Sequence, residues 1–200
     1  MSYQIPKLKG QDLELTLEVK HSHFIANLRH AEGRGECDIH LNDLRKKYPD
    51  ASHHCWALVA AAPENSTFWG LSDAGEPSGT AGKPMLQVLS HCGMGEVSVV
   101  VCRYFGGTKL GTGGLVKAYT DAVKLVVDAC PRETKRLLSP IELTCPYDLI
   151  GRIEHLCQRH QVVINERTYS NCLNLKLMVP SENMSAFTMD LGPLTSVWIN

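Results

Sequence analysis

Hydrophobic and polar residues change their period several times along this 200-residue chain, and each period predicts an element. Leu13, Leu15, Leu17 and Val19 alternate with Asp12, Glu14, Thr16, Glu18 and Lys20, the period of two of a half-buried strand. An extended stretch from His23 to Leu28 follows closely and is expected to pair with it. Cys37, Leu41, Leu44 and Tyr48 recur at steps of four, three and four, one face of a helix that ends before Pro49. Cys55–Ala62 reads as a buried strand, Thr67–Leu71 as a shorter one, and Met85–His91 as a short helix. Val97–Phe105 is the strongest strand pattern of the chain. Beyond it, Leu115, Ala118, Tyr119, Ala122, Leu125, Val126 and Ala129 form the buried stripe of a long helix, with Lys117, Asp121, Lys124 and Asp128 opposite.

The polar, proline-initiated segment Pro131–Arg136 marks a domain boundary, giving an amino-terminal α+β domain over 1–134 and a second domain over 137–200. The second domain reads strand Ile141–Cys145, a helix capped by Asp148 and running to His160, strands Val162–Tyr169 and Leu173–Val179, a helix capped by Ser181 and running to Asp190, and strand Leu194–Ile199. β-α-β-β-α-β in about 60 residues is the ferredoxin-like arrangement.

A hydrophobic content of 44% and a charged content of 20% are ordinary for a globular chain and exclude wholesale disorder. The net charge of −1 weighs against a protein that coats DNA. Residues 1–10 lack the apolar core of a signal peptide, and the longest apolar run, Cys55–Ala62, is far shorter than a membrane span. A soluble, cytoplasmic protein is therefore expected, with the eight cysteines as reduced thiols acting as small hydrophobes.

Two glycine-rich loops carry the candidate chemistry. The first, within Ser72–Pro84, reads SDAGEPSGTAGKP and spans about twelve residues between flanking elements, long for a compact domain. The second, within Arg103–Tyr119, reads RYFGGTKLGTGGLVKAY and leads into the long helix, where backbone N–H groups and the helix dipole favour an oxyanion. Arg103–Lys117 holds three basic residues and no acidic one. Candidate binding residues are Asp73, Glu76, Ser78, Thr80 and Lys83 from the first loop. The second supplies Arg103, Tyr104, Phe105, Gly106, Gly107, Thr108, Lys109, Gly111, Thr112 and Lys117. Tight connection around a packed core is the plainer alternative for both loops.

Neither loop matches a Walker motif, since residue 77 is proline and no Ser or Thr follows Lys83, and neither has the spacing of the dinucleotide fingerprint. His54 and Cys55, adjacent on a strand, point to opposite faces and make a poor base–nucleophile pair. No C-x-x-C or H-E-x-x-H occurs, and His155, Cys157 and His160 approach ligand spacing only at the last two. No metal, cofactor or committed catalytic residue is expected. Asp73, Glu76 and Asp121 remain acid–base candidates, with Glu76 equally able to pair with Lys83.

The runs SDAGEPSGTAGKP and VVVCRYFGGTKLGTGGLVKAY, with HSHFIA and HHCWAL upstream, resemble the IMPACT family in its bacterial YigZ branch, over essentially the whole chain. Ala74 stands where that family often has a second acidic residue, and His23 where an arginine is common. The resemblance implies an amino-terminal domain similar to the second domain of a small-subunit ribosomal protein. It also implies a ferredoxin-like second domain like the last domain of the translocation elongation factor. It points to a translation-associated regulator that binds the ribosome, structured RNA or a translation-associated protein. An enzyme acting on a small phosphorylated or nucleotide-like substrate between the two loops is the alternative. A protein-only regulator is the third reading.

Overall fold

The computed structural model describes residues 2–192 and 196–198, the last three as backbone. The chain divides into two compact units, one of Tyr3–Thr134 and the other of Lys135–Asn200 with Met1–Ser2. It is a mixed α+β protein throughout.

In the first unit, strands β2 (Leu13–Val19), β3 (Ser22–His30), β4 (His53–Val59), β5 (Trp69–Ser72) and β6 (Val97–Tyr104) form an antiparallel sheet in the order β2-β3-β6-β4-β5. The central strand β6 is covered on both faces, which is why its valines run without interruption. Val97, Val99 and Val101 join the core beneath helices α2 (Gly82–His91) and α3 (Gly111–Ala129). Val100 and Cys102 meet helix α1 (Gly33–Lys47) on the opposite face. The same parity sends Arg103 to the α3 face and Tyr104 to the other. Strand β1 (Ser2–Pro6) pairs with β7 (Arg132–Arg136) in a separate two-stranded sheet, so the boundary segment is itself extended.

The second unit contains β8 (Leu138–Cys145), α4 (Ile150–Arg159), β9 (Val163–Tyr169), β10 (Leu173–Pro180), α5 (Met184–Leu191) and β11 (Ser196–Trp198). The sheet order β11-β8-β10-β9, with every pairing antiparallel, is the ferredoxin-like topology. Ile141, Leu143, Leu175 and Leu177 face the helices, whereas Thr144 bonds to Asn174 and Lys176 to Glu166 on the other side of the sheet.

Several expectations are corrected. Leu125 is 40% exposed and Ala129 is exposed, while Val123 and Val127 are buried, because the buried face of α3 continues through 123, 126 and 127. The helix begins at Gly111 rather than after Gly114, and α2 begins at Gly82 rather than Met85. Strand β4 starts two residues earlier than expected and ends at Val59. Neither Asp148 nor Ser181 caps a helix: both lie in 3₁₀ turns that precede α4 and α5, and the Ser181 hydroxyl donates to the Leu137 carbonyl. Leu194, Thr195 and Ile199 of the last expected strand lie outside the described residues.

All eight cysteines are free and six are buried. Burial pushes the Cys55 and Cys102 thiols up to about 12. No helix among the described residues is long and apolar enough to cross a membrane.

Candidate anion-binding site

The first glycine-rich loop is closed by its own acidic residue. One Asp73 oxygen accepts from the Gly79 N–H at 2.8 Å, and the other from Ala81 at 2.9 Å and Gly82 at 2.8 Å. Burial alone would raise this carboxyl, but the three amide donors hold it below its ordinary range. Asp73 thus ties the start of α2 to the end of β5, and its oxygens are committed to backbone. Thr80 is buried and donates to the Pro77 carbonyl at 2.7 Å. Ser78 and Lys83 are exposed.

Closing this loop carries Glu76 inward, where its side chain is 3% exposed. Arg103 Nη1 donates to Glu76 Oε1 at 2.6 Å, and the Tyr119 hydroxyl donates to the same oxygen at 2.8 Å. Burial, with Cys55 and Glu76 close by, pushes the Tyr119 phenol far upward, so it stays a donor. Cys55 Sγ lies 3.2 Å from that hydroxyl and 3.0 Å from the Asp73 carbonyl oxygen. His53 Nδ1 is 2.9 Å from the Ala74 carbonyl, which can only accept, so that nitrogen carries the proton. His53 Nε2 then faces Glu76 Oε2 at 3.9 Å. The expected alternative, an ion pair between Glu76 and Lys83, does not form: Glu76 takes the arginine across the sheet.

The guanidinium is only partly used by this pairing. Among the described residues Arg103 Nε, a buried atom, has no hydrogen-bond partner, and Nη1 alone is engaged. The guanidinium carbon sits 5.4 Å from the Phe24 ring centroid and 5.7 Å from that of Phe105. Two rings and one carboxylate therefore fix its orientation, and its Nε–H is left without an acceptor.

The second loop brings cations and a helix terminus to the same place. Gly106 lies so close to His21 and Ser22 that an added Cβ would fall 2.0 Å from the His21 carbonyl carbon, so the loop is pinned to the β2–β3 turn. Its N–H donates to the Ser22 hydroxyl at 3.1 Å. At Gly111 a φ of +73° turns the chain into α3. Leu110, at the N-cap, offers no side-chain cap, and the first turn holds no acidic residue. A pocket of ≈ 310 Å³ opens there, lined by Glu76, Pro77, Arg103, Phe105, Lys109, Leu110, Gly111, Thr112 and Leu115.

Of the candidates read from the sequence, the pocket gathers Glu76, Arg103, Phe105, Lys109, Gly111 and Thr112. Asp73, Ser78, Thr80, Lys83, Gly106, Gly107, Thr108 and Lys117 do not line it. Tyr104 points to the opposite sheet face, where its hydroxyl donates to Asp50 at 2.7 Å. The supporting residues Tyr119, Cys55 and His53 were not among the candidates. The signal for two of them lies in the alternation of β4, whose register sets His53 opposite Arg103 and Cys55 opposite Val101. Larger hollows of ≈ 620 and ≈ 560 Å³ lie elsewhere and contain none of the candidates. Among the described residues no group of three His, Cys, Asp or Glu side chains is placed to share a metal ion.

Comparison with known proteins covers both units. A family model described as the Impact N-terminal domain matches residues 20–127, and a domain of unknown function, DUF1949, matches 143–196. An "IMPACT family member" of Haemophilus influenzae is 40% identical over 179 residues, 90% of this chain and 87% of that protein. "IMPACT family member YigZ" of Escherichia coli is 40% identical over 175 residues, 88% of this chain and 86% of that protein. A solved structure described as that of a hypothetical protein is 38% identical, with a TM-score of 0.70, covering 96% of this chain and 92% of that one.

Proposed function

The chain belongs to the IMPACT family, and from that premise we propose that it is a non-enzymatic, translation-associated protein that binds structured RNA at the ribosome through the pocket face of its amino-terminal unit. One observation carries this reading: a buried arginine with an unpaired Nε–H, an exposed lysine and an uncapped helix terminus converge on one pocket. Oxyanions are what such a set recognises, because a phosphate takes two guanidinium donors side by side and is favoured by the helix dipole. The only acidic side chain in the wall, Glu76, has one oxygen occupied by Arg103 and Tyr119. Lys117, exposed further along α3 and outside the pocket wall, adds a basic group to the same helix.

The pocket does join the two glycine-rich loops, which favours a small phosphorylated ligand as a second reading. Catalysis on such a ligand has little to work with. Asp73 is committed to three amides, Lys83 is outside the pocket, and Glu76 is tied to Arg103 and Tyr119.

Fluorescence anisotropy with a labelled RNA stem-loop, across a salt series, tests the proposal. Binding should weaken linearly in log salt, and Lys109→Ala and Lys117→Ala should each flatten the slope by roughly one unit. Affinity indifferent to salt and to both substitutions would exclude RNA as the partner and turn the search to protein contacts.

A further inference from the structure

We infer that the pocket accepts one nucleotide removed from any helical stack, its phosphate on Arg103 and the α3 terminus and its base against Phe105 and Leu110. This rests on the RNA-binding reading and specifies what the pocket takes from the RNA: a terminal or looped-out nucleotide.

The donor set favours a phosphate. Arg103 is 6% exposed and held by Glu76 and two aromatic rings, so its free Nε–H is already oriented. A preorganised, largely desolvated donor discriminates by geometry, unlike the mobile lysines of a surface patch. The amides of the first turn of the 19-residue helix α3 lie in the same wall and have no side-chain cap. Lys109, exposed at the rim, adds a third favourable charge.

Pro77, Phe105, Leu110 and Leu115 make the remaining wall apolar, and a bare phosphate would leave them in water. Phe105 is 50% exposed although its neighbours in sequence are packed against β3. A half-exposed ring beside an anion site is what base stacking uses. A pocket of ≈ 310 Å³ lies at the small end of ligand sites. It suits one nucleotide and is too small for a base pair, so the duplex part of an RNA must stay outside.

The test titrates the full chain, by calorimetry, with adenosine monophosphate, uridine monophosphate, inorganic phosphate and adenosine. Both monophosphates should bind roughly ten-fold more tightly than inorganic phosphate, with adenosine weaker still. Phe105→Ala should weaken the monophosphates by about ten-fold and inorganic phosphate by much less, since Glu76 and Phe24 still hold Arg103. Lys109→Ala should weaken monophosphates and phosphate alike. Both residues are exposed, so both variants should melt like the parent. Monophosphates binding no better than phosphate, or equally well to Phe105→Ala, would overturn the inference. The stem-loop RNA measured on the same preparation separates the two proposals. RNA binding without monophosphate binding removes the nucleotide pocket and spares the RNA reading. Monophosphate binding without RNA binding upholds the pocket and removes the RNA reading.

Discussion

At the scale of single residues, the buried pair Glu76–Arg103 is both the support of the site and its weak point. Removing one partner leaves the other charged and out of water, so Glu76→Ala should cost about 3–5 kcal/mol in urea unfolding. Replacing both, Glu76→Leu with Arg103→Met, should recover most of that loss while abolishing anion binding. The double variant losing as much stability as the single one would show that the two charges do not act as one unit. A second residue-scale expectation concerns His40, fully buried between Ser98 at 2.9 Å and Asn27 at 2.8 Å. Burial, together with the charge of Arg29, pushes this imidazole down to about 4 despite the carboxylates Asp12 and Asp43 nearby. Below about pH 6.5 the unfolded chain binds a proton that the folded one refuses, so stability falls as pH drops from about 6.5 towards 4. Unfolding free energy should decrease by about 2 kcal/mol between pH 6.5 and 5, and His40→Gln should flatten that dependence. Equal slopes for the two proteins would place the titrating group elsewhere.

Among the elements, the second glycine-rich loop decides the site, and its two glycines of consequence do different jobs. Gly106 permits backbone contact with His21 and Ser22, and Gly111 turns the chain into α3. Gly106→Ala should therefore lower stability by about 1–3 kcal/mol and pull Arg103 and Phe105 out of register with α3, weakening anion binding as well. A variant that melts like the parent would mean that the loop is less tightly pinned than the close approach implies. The same elements show what a sequence reveals. The valine run of β6 and the alternation of β2 are local signals, and they were legible. The start of α3 was not, because Gly111, Gly113 and Gly114 read as loop. Each glycine costs a helix about 1 kcal/mol, and the packing of Leu115, Ala118 and Tyr119 against the sheet outweighs that preference. Ser2–Pro6 was missed as a strand because its five residues pair with a segment 130 positions away, a distance at which local pattern is silent. Loop composition likewise identified Glu76 and Arg103 individually, but their pairing depends on how Asp73 folds the first loop back on itself.

For the whole molecule, the near-zero net charge hides a local imbalance. Arg103, Lys109 and Lys117 lie within one stretch that has no acidic residue, while residues 137–200 carry four basic and six acidic side chains. Non-specific adhesion to nucleic acid is not expected from such a distribution, but a focused phosphate contact is. The family match names no ligand, and fold likeness alone cannot supply one. The decisive measurement is co-sedimentation of the purified chain with ribosomes at low and at physiological salt, comparing wild type with Lys109→Ala/Lys117→Ala. Both lysines are exposed, so the variant keeps the Arg103–Glu76 pair and its fold. The account predicts that wild type pellets with ribosomes at low salt, less so at physiological salt, and that the variant stays in the supernatant. Wild type and variant pelleting alike, or neither pelleting at low salt, would contradict it.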